Sequence, residues 1–132
     1  MKYVLLAAIV AMGCGGNPTQ PDAALGQPFE VRAGTTAELP DGIRLRFDSV
    51  LSDSRCPIDA ICVRAGEAVV AITLSKAGTV TAEFDVQTDP PDRRSANYSG
   101  HSVTLTALQP FPRSDRQVQP SDYVATFIVN VR

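Results

Sequence analysis

From residue 29 onward the hydrophobic positions recur at every second residue, the period of a strand that buries one face. In IRLRFDSV, Ile43, Leu45 and Phe47 alternate with Arg44, Arg46 and Asp48. In TVTAEFDV, Val80, Ala82, Phe84 and Val86 alternate with Thr79, Thr81, Glu83 and Asp85. SVTLTAL sets Val103, Leu105 and Ala107 against Ser102, Thr104 and Thr106. YVATFIVNV gathers Tyr123, Ala125, Phe127, Val129 and Val131 on one face, with Val124 and Ile128 making the other partly apolar. AVVAITL, residues 68–74, is apolar on both faces and reads as a central strand. PFEVR and TTAEL predict two shorter strands divided at Gly34. No segment carries a helical period.

Turn residues fall between these runs, at Pro40-Asp41-Gly42 and Lys76-Ala77-Gly78, and two longer loops are expected over 88–101 and 109–122. Seven short strands joined this way predict an all-β fold, an antiparallel β-sandwich of immunoglobulin-like architecture, with a small β-barrel as the alternative. The Cys…Trp…Cys hallmark of true immunoglobulin domains is missing, because the chain has no tryptophan. The 132 residues suffice for one domain and one core. Hydrophobic content of 44% with 20% charged residues is globular rather than disordered composition. The formal charge is −2 and acidic and basic residues are interspersed, which argues against a nucleic-acid partner.

The first residues obey a different rule. MKYVLLAAIVAMG places Lys2 ahead of an apolar stretch from Tyr3 to Met12, followed by small residues, the layout of an export signal. The stretch is shorter than the roughly 20 residues a membrane-spanning helix needs. GGNPTQPDAALGQ then reads as a linker, so three parts are expected: a signal peptide over 1–13, a tether over 14–27 and a β-sandwich domain over 28–132. A tether of that length gives the domain a reach of roughly 20 Å.

At Gly13-Cys14 this segment resembles the lipobox of bacterial lipoproteins. The resemblance implies cleavage before Cys14, a diacylglyceryl group on its sulfur and a membrane anchor made of buried acyl chains. Gly15, rather than Asp, after the cysteine implies sorting to the outer membrane. Ala11 and Gly13 also meet the small-x-small pattern of ordinary signal cleavage, which would leave Cys14 a free thiol.

The other two cysteines lie in DSRCPIDAICVRAGEA, residues 53–68, between two strands. In an exported chain Cys56 and Cys62 are expected to form a disulfide. Closing so short a loop contributes about 2 kcal/mol in the chain-entropy account. A zinc site is disfavoured by the single histidine and the absence of a C-x2-C pair. The C-x5-C spacing in a loop, with Pro57 after the first cysteine, does not fit a thioredoxin-like redox pair. No metal and no cofactor is expected. Asp53-Ser54-Arg55-Cys56-Pro57, Cys62 and Ala65-Gly66-Glu67-Ala68 together resemble a motif of small, functionally uncharacterised bacterial lipoproteins. Arg64 stands where those relatives often carry Trp. The resemblance implies a β-sandwich lipoprotein and no particular activity.

If every strand returns antiparallel, the cysteine loop and the 88–101 loop share one end of the sandwich, and the PDG turn and the 109–122 loop share the other. The first end would gather Asp53, Arg55, Arg64, Arg93, Arg94, Tyr98 and His101 as a candidate binding face. A hydrolase centred on His101 with Ser99 or Ser102 lacks a nucleophile-elbow pattern, and the acids are too scattered for paired-carboxylate chemistry. The expectation is a non-enzymatic envelope lipoprotein docking a protein or glycan. The alternative is an inhibitor or ligand scavenger that uses the 53–66 loop.

Overall fold

A computed structural model describes residues 23–132. The signal segment, Cys14 and most of the tether lie outside the described residues. Two four-stranded antiparallel sheets face one another across a single core. The strands are β1 (Phe29–Arg32), β2 (Thr36–Glu38), β3 (Arg44–Asp53), β4 (Ala68–Lys76), β5 (Thr79–Gln87), β6 (Ser95–Tyr98), β7 (His101–Gln109) and β8 (Val124–Val131). One sheet runs β1-β8-β7-β6, the other β2-β3-β4-β5. The chain changes sheets between β1 and β2 at Gly34, whose φ of +82° suits glycine.

The period-two pattern becomes the core. Ile43, Leu45, Phe47, Val70, Ile72, Leu74, Val103, Ala125, Phe127 and Val129 are completely buried. Phe47 and Phe127 are the bulkiest of these, and Phe29 packs on Phe127 with ring centroids 6.3 Å apart. The predicted central strand AVVAITL is β4, paired on both sides by β3 and β5. Alternation breaks where the backbone bulges. The register shift between Leu105 and Ala107 turns Leu108 inward, so Leu108 is buried where Ala107 was expected. Val80, expected on the inner face, is 84% exposed because it sits at the outlying start of edge strand β5.

Among the described residues the strands number eight, and the additional one matters most. Residues 95–98, expected inside one long loop, form β6, which pairs with the first half of β7. One more strand reverses which end every later connection occupies. Loop 110–123 therefore joins the cysteine loop, while the β6–β7 turn at Ser99-Gly100 joins the PDG turn. The pairing of loops expected from the seven-strand count is corrected accordingly. The domain also begins earlier than Pro28. Ala23 and Leu25 pack against the core, and Gly26 N–H donates to the Val129 carbonyl at 2.8 Å.

Candidate functional site

β3 ends at Asp53, and the residues after it build a braced loop. Ser54 N–H donates to the Glu67 carbonyl and Cys56 N–H to the Ala65 carbonyl, both at 2.8 Å, so the β3–β4 ladder continues past the strands. The Ser54 hydroxyl donates to the Glu67 carbonyl at 2.9 Å and accepts from its N–H at 3.1 Å. Gly66 faces this close pairing at φ +67°, and a Cβ there would run into the Ser54 carbonyl. Cys56 and Cys62 are disulfide-bonded with Cα atoms 5.9 Å apart, an ordinary separation.

Arg55 is the centre of the support. Its side chain is buried and grips Asp53 through two bonds of 2.8 Å, from Nε and Nη2. Nη1 donates to the Leu108 carbonyl at 2.7 Å and Nη2 to the Pro110 carbonyl at 2.9 Å. The Phe111 ring covers the guanidinium, its centroid 5.2 Å from Cζ. Asp53 also accepts the Tyr123 hydroxyl at 2.9 Å. β6 pairs only with the His101–Thr104 half of β7, so the other half has no strand on that side. Arg55 satisfies the Leu108 carbonyl there and the Pro110 carbonyl just past the strand.

Electrostatics follow from this packing. Burial pushes the Asp53 carboxyl up, but hydrogen bonds from Arg55 and Tyr123 and the Arg55 charge outweigh it and hold Asp53 below the usual carboxylate range. Burial, reinforced by the bond to Asp53, raises the Tyr123 phenol to about 12. On the outer side of the loop, Ile58 N–H donates to the Pro112 carbonyl at 3.0 Å. The exposed Asp59 carboxylate accepts from Ser114 N–H at 2.9 Å and its hydroxyl at 3.1 Å, which lowers its pKa.

The DSRCP…C…AGEA residues are thus occupied with holding the loop's shape. What the loop presents is the stretch between them. Ile61 and Val63 are fully exposed, Ile58 is 60% exposed, and Arg64 points outward beside them. Phe111, half-exposed, borders a cleft of about 170 Å³ floored by Arg55 and Leu108 and walled by Thr88 and Arg94.

Of the expected binding face, Asp53, Arg55, Arg64, Arg93 and Arg94 lie at this loop end, with Arg94 held by a 2.6 Å bond from Nε to the Thr88 carbonyl. Tyr98 and His101 do not join them. They sit at the opposite end, where the Tyr98 hydroxyl donates to the Val80 carbonyl at 2.8 Å and His101 meets Asp41 of the PDG turn. His101 Nδ1 faces the Ser99 backbone carbonyl at 2.7 Å and Nε2 faces Asp41, so neither ring nitrogen addresses the hydroxyl of Ser99 or Ser102. The sequence reading missed Asp41, Phe111, Ser114 and Tyr123 as partners. Each acts across 55 or more residues of chain, with no local signal to mark it. No group of three or more His, Cys, Asp or Glu side chains that could hold a metal ion exists among the described residues. Compared with known protein families, curated proteins and solved structures, the chain matches none.

Proposed function

We propose that this chain is a non-enzymatic binding module of the bacterial envelope, anchored to the outer membrane through lipidated Cys14, which offers its cysteine-loop tip to a protein partner. The observation that carries the reading is the full exposure of Ile61 and Val63 on a loop that cannot fold them away. The disulfide, the Ser54–Glu67 bonds and the Arg55–Asp53 grip hold that loop's backbone in place. A rigid loop on a β-scaffold loses little entropy when it docks. A partner that covers these side chains gains about 1.5–3 kcal/mol for each one fully buried. Residues 23–28 lie beside the end of β8, at the opposite end of the sandwich, so an anchor at Cys14 leaves the tip on the side away from the lipid.

Affinity capture from the native envelope tests the binding role, with the mature chain compared against an Ile61→Ser/Val63→Ser variant. The mature chain recovers a reproducible partner that the variant loses. Equal recovery by both defeats the reading. Intact mass of membrane-extracted protein tests the anchor separately. A chain that starts at Cys14 and carries acyl groups is expected, and one that starts at Met1 with three free thiols removes the anchor.

The same braced, convex loop supports a second reading, an inhibitor or scavenger whose tip enters a partner's cleft. In that case Ile58 and Ile61 substitutions abolish inhibition while the fold survives. Arg55 cannot test it, because its side chain is part of the loop's own support.

A further inference from the structure

His101, the one histidine of the chain, is 5% exposed and lies where the two sheets meet at the turn end. Its Nδ1 faces the Ser99 carbonyl at 2.7 Å, an oxygen that only accepts, so Nδ1 carries a hydrogen. Its Nε2 faces Asp41 Oδ2. The hydrogen bond from His101, opposed by burial and helped by the charges of His101 and Lys76, lowers the Asp41 pKa, so Asp41 is a carboxylate at neutral pH. A carboxylate also only accepts, and Nε2 must carry a hydrogen too. Both acceptors are satisfied together only by the doubly protonated, cationic ring. The other carboxylate oxygen, Asp41 Oδ1, is buried with no hydrogen-bond partner among the described residues, so the imidazolium is the close counter-charge.

We infer that His101 and Asp41 form a proton-operated clip that fastens the PDG turn of one sheet to the β6–β7 turn of the other. When the ring loses a proton, one of its nitrogens turns a lone pair toward an acceptor oxygen in a buried place, and one fastening is lost. On the acid side, protonation of Asp41 removes the counter-charge. The clip is closed between these limits. The charged groups that act on it are Asp41 from the β2–β3 turn and Lys76 from β4. Tyr98, paired with His101 across the hairpin, is committed by its hydroxyl to Val80. The turns it joins are tight ones. Gly42 and Gly100 adopt φ of +82° and +72°, and Ser99 lies at φ +47°. Val131, the partner of His101 in β8, and the Arg132 bond to the Gly100 carbonyl connect the clip to the strand that residue 26 contacts.

With a single histidine, long-range proton–nitrogen NMR on the uniformly labelled chain reads the ring without ambiguity. With the clip closed, both ring nitrogens are expected to show protonated shifts. As rising pH takes the proton from the ring, the amides of Asp41, Gly42, Ser99 and Gly100 should move with the same midpoint. Their exchange protection, corrected for intrinsic rate, should fall about tenfold or more. Amides of the cysteine loop should stay unchanged. Asp41→Asn should lower the ring midpoint, and His101→Gln should remove the pH dependence of the turn amides. A ring with one bare nitrogen throughout, turn amides that do not follow it, or equal shifts at the cysteine loop would each overturn the clip. If a variant does not fold, the wild-type titration alone decides.

Discussion

The two ends of the sandwich are both fastened by an ion pair, a local one between Asp53 and Arg55 and a long-range one between Asp41 and His101, and the pairs also differ in chemistry. At the loop end Arg55 and Asp53 meet with side chains 8% and 11% exposed, and the cation is a planar guanidinium that binds the carboxylate through two bonds. A disulfide stands beside them. At the turn end the cation is an imidazole, whose charge depends on pH near neutrality, and its partner Asp41 is about one-third exposed. The first end is permanently closed and carries the exposed aliphatic tip. The second is conditionally closed and lies beside residues 23–28, the first of the described residues. Fold class alone does not dictate this division, because either end of a sandwich could have been tied either way.

The difference can be broken by mutation. Arg55→Ala should be the most damaging change, costing about 3–5 kcal/mol, because it leaves Asp53 buried without its counter-charge. Urea denaturation would show it, and a loss under 1 kcal/mol would mean the network is not the main brace. Removing both Cys56 and Cys62 by alanine should cost about 2 kcal/mol, leaving the Arg55 grip and the core in place. A larger loss on removing the cysteines than on Arg55→Ala would show that the loop end is held mainly by covalent closure.

Smaller effects sharpen the contrast. Tyr123→Phe should cost about 1 kcal/mol at neutral pH. In the wild type, absorbance titration should place the phenol at about 12 rather than 10. Its folded pKa is raised, so its contribution is complete below pH 10 and fades as pH rises through about 12. Asp41→Asn should cost about 1 kcal/mol once solvent screening is allowed for. Asp41 and Asp53 both have depressed pKa values, so the stability each contributes is present above the normal carboxylate pKa of 3.8 and is lost as pH falls below it. Ile61→Ser with Val63→Ser should change stability by less than about 0.5 kcal/mol, since neither side chain touches the core. A larger loss would make the tip part of the fold rather than a docking surface.

Alternation of side chains is a property of adjacent residues, and it was legible without any structure. The inward positions Ile43, Leu45, Phe47, Phe127 and Val129 are buried as their spacing requires, and AVVAITL is central as its two apolar faces require. The pairing of Cys56 with Cys62 followed from the export signal, which makes a disulfide the expected state of the two loop cysteines. The assembly of the two ends did not. Ser95–Tyr98 is a strand of four residues whose inward positions are only Ala96 and Tyr98, so it does not stand out from the loop around it, yet it reverses the position of every later loop. Whether Arg55 is a solvated loop cation or the plug for an unpaired strand edge depends on Leu108 and Pro110, more than fifty residues away. Whether His101 addresses a serine hydroxyl or clasps Asp41 depends on the same strand count. The alternation of a strand needs only its neighbours, so the sequence alone determined the core and the fold class. Contacts between loops depend on which strands stand between them, so the tertiary structure alone decided the ends.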